Sequence, residues 1–178
     1  MSQTSPDPRL IVSKTTPLVL TTAFQSIIFD GSEANKTINT FGIDPVTMRK
    51  MFNYDVATNL FTYNEVYPHN FSTLFEFRTN STIISTKASL QLRFNIPNGV
   101  SSGVDINFPF ESNGGYVDVY DVTAFNIAVN NKPFVFPIYI GDALKINGFR
   151  IQVRLSNSVV GTTTLEYSSV NIQGISRN

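Results

Sequence analysis

Short segments in which apolar and polar residues alternate recur along this chain and constrain its fold most strongly. One of them carries Leu90, Leu92, Phe94 and Ile96 between polar residues, and residues 149–155 alternate in the same way. Because side chains two positions apart lie on one side of an extended chain, each segment predicts a strand with one buried face. Turn-forming residues separate the segments, and long stretches with helical periodicity are missing. The sequence therefore predicts an all-β sandwich or barrel of short strands.

The division of the chain is predicted to be an extended N-terminal arm at residues 1–17 and one domain at residues 18–178. A length of 178 residues suffices for a single core and leaves no surplus for a second. Three prolines favour extended backbone in the arm, and its apolar cluster is Leu10, Ile11 and Val12. We expect this cluster to dock into another protein, and deletion of the arm to leave the domain folded.

The charge and cysteine counts argue against several partners. Lys+Arg and Asp+Glu number 13 each, and charged residues make up 15% of the chain. Nucleic-acid binding depends on clustered basic residues, so we expect no nucleic-acid partner. Apolar runs fall short of the roughly 20 residues of a membrane span, and the start lacks the order of a secretion signal. The absence of cysteine rules out disulfides and thiolate zinc sites.

A catalytic set is not recognisable in the sequence. His69 is the only histidine, and it lies in a segment that reads as a loop. A Ser-His-Asp arrangement would have to use it, and a lone histidine is typically an ordinary surface residue. Asp118 and Asp121 lie near a strand end and read as solvated carboxylates rather than a hydrolytic pair. We therefore expect no enzymatic activity, no cofactor and no metal site.

The aromatic residues allow two interpretations. The chain has 15 Phe and 7 Tyr, and Phe71, Phe75 and Phe77 with their neighbours exceed what one buried face needs. They pack in the core of the single chain, or they fill a second face that copies of the chain cover. A turn is predicted at Asn130-Asn131 between two later strand segments.

A resemblance to a known family begins at residues 53–62, NYDVATNLFT, which are similar to the "YDxxTGxFT" element of C1q/tumour-necrosis-factor-like domains. In that family the element forms a hairpin. Asn59 stands where the family has glycine, an exchange that the left-handed conformation tolerates. Residues 136–146 resemble "LxLxxGDxVxL", with a tight turn at Gly141-Asp142, and residues 167–172 resemble the closing strand.

The resemblance implies a single ten-stranded jelly-roll sandwich that forms a homotrimer and has no enzymatic activity. It places Phe71, Phe75, Phe77 and Tyr167 at the trimer interface and uses exposed loops for recognition. Among such proteins, a start without a secretion signal or collagen stalk favours a bacteriophage virion protein, either a capsid decoration or a fibre head. Its partners would be copies of itself, other capsid or tail proteins, and a glycan or receptor on the host surface. The alternative is a secreted C1q-like module that binds carbohydrate or protein.

Overall fold

The strands account for nearly all regular structure in the described part of the chain. The computed structural model describes residues 9–14, 16–29, 52–63, 69–82, 88–97, 115–122, 127–140 and 147–174. Their strands are β1 (Arg9–Lys14), β2 (Leu18–Val19), β3 (Gln25–Ser26), β4 (Phe52–Asp55), β5 (Leu60–Tyr63), β6 (His69–Ser81), β7 (Ser89–Asn95), β8 (Val117–Asp121), β9 (Ile127–Ile140), β10 (Arg150–Leu155) and β11 (Thr163–Gly174). The all-β prediction is confirmed for these ranges.

Two antiparallel sheets form the sandwich. The five-stranded sheet has the order β1-β11-β6-β9, with β2 also paired to β11. The four-stranded sheet has the order β3-β10-β7-β8. The hairpin of β4 and β5 reaches the four-stranded sheet through Phe61 and Phe149, whose backbone N–H and C=O groups exchange two hydrogen bonds of 2.9 Å.

The core lies between the two sheets because the strands alternate as predicted. In β10, Ile151, Val153 and Leu155 are buried while the residues between them are half-buried on the other face. Burying each such side chain contributes about 1.5–3 kcal/mol. Aromatic rings fill the end of the sandwich where the hairpin joins, with centroids of Phe61 and Phe149 5.1 Å apart and stacked.

The predicted turn at Asn130-Asn131 is wrong, since both residues lie inside β9. The register of β6 and β9 shifts there, so that these two residues oppose the single residue Arg78. A second shift leaves Glu166 of β11 as an extra residue beside Arg78. An Asn-Asn pair indicates irregular backbone, and a β-bulge supplies that irregularity without ending the strand. Because the long strand β6 pairs with β9 on both sides of the bulge, the chain does not turn here.

Within the predicted N-terminal arm, residues 9–14 pair along their whole length with β11. The predicted boundary between residues 17 and 18 thus falls between two strands, β1 and β2, that share this neighbour. The physical reason is that an edge of β11 presents backbone N–H and C=O groups, which an extended segment satisfies.

Candidate functional site

Two of the predicted interface residues belong to the core of the single chain. Phe75 and Phe77 are 0% exposed, with parallel rings 5.9 Å apart, and Phe75 also contacts Phe94 of the opposite sheet. A side chain with no exposed surface has none to offer to a second copy. Phe71 is in β6, but its side chain is outside what the structure describes. Tyr167 is half-buried and lies with Arg78 on the outer face.

Around Tyr167 the outer face of the five-stranded sheet carries a charge-balanced cluster. The Arg78 guanidinium lies 5.7 Å from the centroid of the Tyr167 ring. Arg78 Nε is 3.5 Å from Glu166 Oε2, and Asn80 Nδ2 donates a 3.2 Å hydrogen bond to Glu166 Oε1. A partly exposed pair of this kind contributes about 0–1 kcal/mol. The bulges on both sides of Arg78 bring these groups together.

The outer face of the same sheet also carries exposed apolar surface. Val135 of β9 is 63% exposed, and it pairs in register with Leu74 of β6, which is half-buried. Leu74 lies between inward-facing Thr73 and Phe75, so both Leu74 and Val135 face outward. The docking residues predicted for the arm, Leu10, Ile11 and Val12, pair through their backbones with Ile172, Asn171 and Val170 of β11.

The hairpin predicted at residues 53–62 is confirmed as β4, a turn and β5. Asn59 has a φ of 56°, in the left-handed region that the sequence predicts there. The Tyr54 hydroxyl donates a 2.6 Å hydrogen bond to Asn59 Oδ1 and accepts one from the Phe29 backbone N–H at 2.9 Å. Asp55 accepts from the hydroxyl of Thr58, and this bond holds the pKa of its carboxyl below the ordinary value.

In the described part of the chain, a network of arginine and glutamine side chains, which sequence reasoning missed, covers the outer face of the four-stranded sheet. We call it the arginine face. It consists of Phe24, Gln91, Arg93, Tyr116, Asp118, Arg150, Gln152 and Arg154.

The ring of Phe24, next to the edge strand β3, contacts two arginines of the arginine face. The guanidinium carbon of Arg93 is 3.9 Å from the centroid of the Phe24 ring, and that of Arg154 is 4.3 Å away. The guanidinium carbon of Arg154 also lies 5.0 Å from the centroid of the Tyr116 ring, and Tyr116 as a whole residue is 45% exposed. Such contacts are worth about 0.5–1 kcal/mol each at exposed sites.

Two glutamines orient these arginines across the strands. Arg93 Nε donates to Gln152 Oε1 at 2.7 Å, and Arg154 Nε donates to Gln91 Oε1 at 2.8 Å. Gln91 Nε2 in turn donates to Asp118 Oδ1 at 2.8 Å. The alternation of Arg and Gln in β7 and β10 is visible in the sequence, but their register, and the placement of Phe24, come only from the fold.

Of the residues considered for catalysis, Asp118 and Asp121 bind neighbouring side chains of their own sheet, and His69 is described by its backbone alone. His69 opens β6 and pairs with Ile140, so its predicted loop is wrong, because its neighbour β9 extends far enough to pair with it. Asp118 and Asp121 lie within β8 and bind Gln91 and Ser89. Among the described residues no three His, Cys, Asp or Glu side chains cluster as metal ligands. No helix there could span a membrane. The turn predicted at Gly141 and Asp142 lies outside the described residues.

No protein-family model fits this sequence, and no curated protein is significantly similar to it.

Proposed function

We propose that this chain is a non-enzymatic structural protein on the outside of a virus particle, a homotrimeric capsid decoration or fibre head with a C1q/tumour-necrosis-factor-like jelly roll. The observation that carries the proposal is the pairing of the strands. A jelly roll is a long antiparallel hairpin of eight segments rolled up, so that the first segment pairs with the eighth, the second with the seventh, the third with the sixth and the fourth with the fifth.

The strand pairs of this chain support that topology. Taking β1 and β2 as the first segment and β3 to β5 as the second, the four pairs are β1 with β11, β3 with β10, β6 with β9, and β7 with β8. The roll closes where β11 meets β6 and β10 meets β7. The hairpin at residues 53–62 supports the family, since Asn59 adopts the conformation that the resemblance assigns to it.

The outer face of the five-stranded sheet is the surface we assign to the trimer contact. Phe75 and Phe77 are excluded by their burial, whereas Val135, Leu74 and Tyr167 face outward. Exposed apolar side chains in register on a flat sheet favour self-association, because a second copy removes them from water.

Two measurements test the proposal, the mass of the protein in solution and its location on the virus particle. Light scattering at micromolar concentration should give a mass near three times 19.8 kDa. Val135→Lys should shift this mass toward that of a single chain. Val160→Lys is the matched control, since Val160 is also 63% exposed but follows β10 in a loop. A single-chain mass for the unmodified protein, or equal dissociation by both variants, would contradict the assigned contact.

Electron microscopy of the source particle with an antibody against this chain should place it on the exterior, and its absence from purified particles would refute the virion role.

A further inference from the structure

Among the described residues, two arginines of the arginine face are hydrogen-bonded to uncharged groups. Arg150 Nε donates to the backbone carbonyl of Thr58, and Arg154 Nε donates to Gln91 Oε1. The carboxylate of Asp118 in the same network accepts from Gln91. A surface that only needed to be soluble would alternate the two signs, so the concentration of guanidinium groups here favours an anionic ligand.

Neighbouring side chains fix the position of the Arg154 guanidinium group before any ligand binds. Its Nε is used by Gln91, and its position is fixed further by the rings of Phe24 and Tyr116. The fork of an arginine offers five N–H donors, and it binds a carboxylate through two parallel hydrogen bonds. Because neighbouring side chains already restrict Arg154, less conformational entropy is lost when an anion binds.

The groups around Arg154 favour a saccharide over the other anionic polymers. The half-exposed ring of Tyr116 provides an apolar surface with a polar hydroxyl, which suits a sugar ring with its C–H face and hydroxyl groups. Amide and hydroxyl side chains, Gln152 and Ser26 among them, lie on the same face. Single-stranded nucleic acid stacks successive bases on several aromatic rings, but two guanidinium groups already cover Phe24, which leaves Tyr116 as the single open ring of the arginine face.

We propose that the arginine face binds a saccharide that carries carboxylate groups, with Arg154 pairing with a carboxylate and Tyr116 packing against the sugar ring. This inference goes beyond the structural role proposed above, and it stands whether the chain is a trimer or a single copy.

The test uses the full chain and two probes that differ only at their carboxyl groups, an oligosaccharide of six galacturonic acid units and its uncharged methyl ester. Isothermal titration calorimetry should show binding of the acid, weakening as salt is added. The ester should bind about tenfold more weakly, because it lacks the charge for a charge-assisted hydrogen bond. No binding of the acid at millimolar concentration, or equal binding of the ester, would overturn the proposal.

Three variants locate the site. Arg154→Gln should weaken binding of the acid about tenfold. Arg78→Gln is the matched control, because Arg78 also lies over a tyrosine ring but on the opposite sheet, and it should change the affinity by less than about twofold. Equal losses in these two variants would refute the site. If Arg154→Gln does not fold, as judged by circular dichroism, Tyr116→Ala takes its place and should also weaken binding.

Competing polymers decide the ligand class. Single-stranded oligonucleotide and poly-glutamate should bind more weakly than the acidic oligosaccharide at the same ionic strength. Tighter binding of either, lost in Arg154→Gln, would assign the arginine face to nucleic acid or to an acidic protein segment and refute the saccharide.

Discussion

Asn59 occupies a backbone conformation that most side chains avoid, and substitutions there measure its cost. Its φ is 56°, and the residue is 9% exposed. Its Oδ1 accepts a 2.6 Å hydrogen bond from the Tyr54 hydroxyl. The left-handed conformation costs an ordinary L residue about 1–2 kcal/mol, whereas glycine adopts it freely. Loss of the hydrogen bond costs about 1 kcal/mol in either substitution.

Alanine ordinarily gives a higher free energy of unfolding than glycine, but at position 59 we expect the reverse order. Asn59→Ala adds the conformational strain to the lost hydrogen bond and should lower the free energy of unfolding by about 2–3 kcal/mol. Asn59→Gly avoids the strain but gains about 0.5–1 kcal/mol of entropy in the unfolded chain, so its loss should be about 1.5–2 kcal/mol. Glycine at this position is expected to be more stable than alanine.

Urea unfolding followed by circular dichroism measures this order, at one fixed protein concentration because self-association would shift the midpoint. Ala57→Gly is the control, since Ala57 lies in the same turn without a positive φ. There the exchange of alanine for glycine should destabilise by up to about 1 kcal/mol. If Asn59→Ala proves as stable as Asn59→Gly or more so, the left-handed turn and the argument built on it are refuted.

Burial raises the pKa of Tyr120 to about 12, so its folded form keeps a proton that the unfolded chain loses above its ordinary pKa of 10. Stability should therefore fall as pH rises from about 10 to 12, by up to about 3 kcal/mol, and Tyr120→Phe should remove most of that slope in melts across this range. Gly148→Ala should destabilise strongly, because a Cβ there would overlap the carbonyl oxygen of Phe61 and the φ is 67°; a melting temperature within about 2 °C of the parent would contradict this close approach. Deletion of residues 1–17 removes β1 and should lower the melting temperature, while deletion of residues 1–8 leaves β1 in place; equal melting temperatures would show that β1 contributes nothing to the sheet.

The strand content and the inward faces could be predicted from the sequence, because they depend on local alternation. Leu90, Leu92 and Phe94 are buried as their spacing indicates, since period two fixes which side chains share a face. The conformation of Asn59 was likewise predictable from its turn motif. In both cases the determining interactions lie within a few residues along the chain.

What the tertiary structure alone decided depends on which distant segments pair. Asn130-Asn131 forms a bulge rather than a turn because β9 pairs with β6 on both sides of it. Residues 9–14 form a strand because they pair with an edge of β11. The arginine face also depends on register, since Arg93 meets Gln152 across 59 residues of sequence. Local pattern specifies the side of a strand that each residue occupies, but cross-strand neighbours follow from long-range pairing, which the core packing of the whole chain selects.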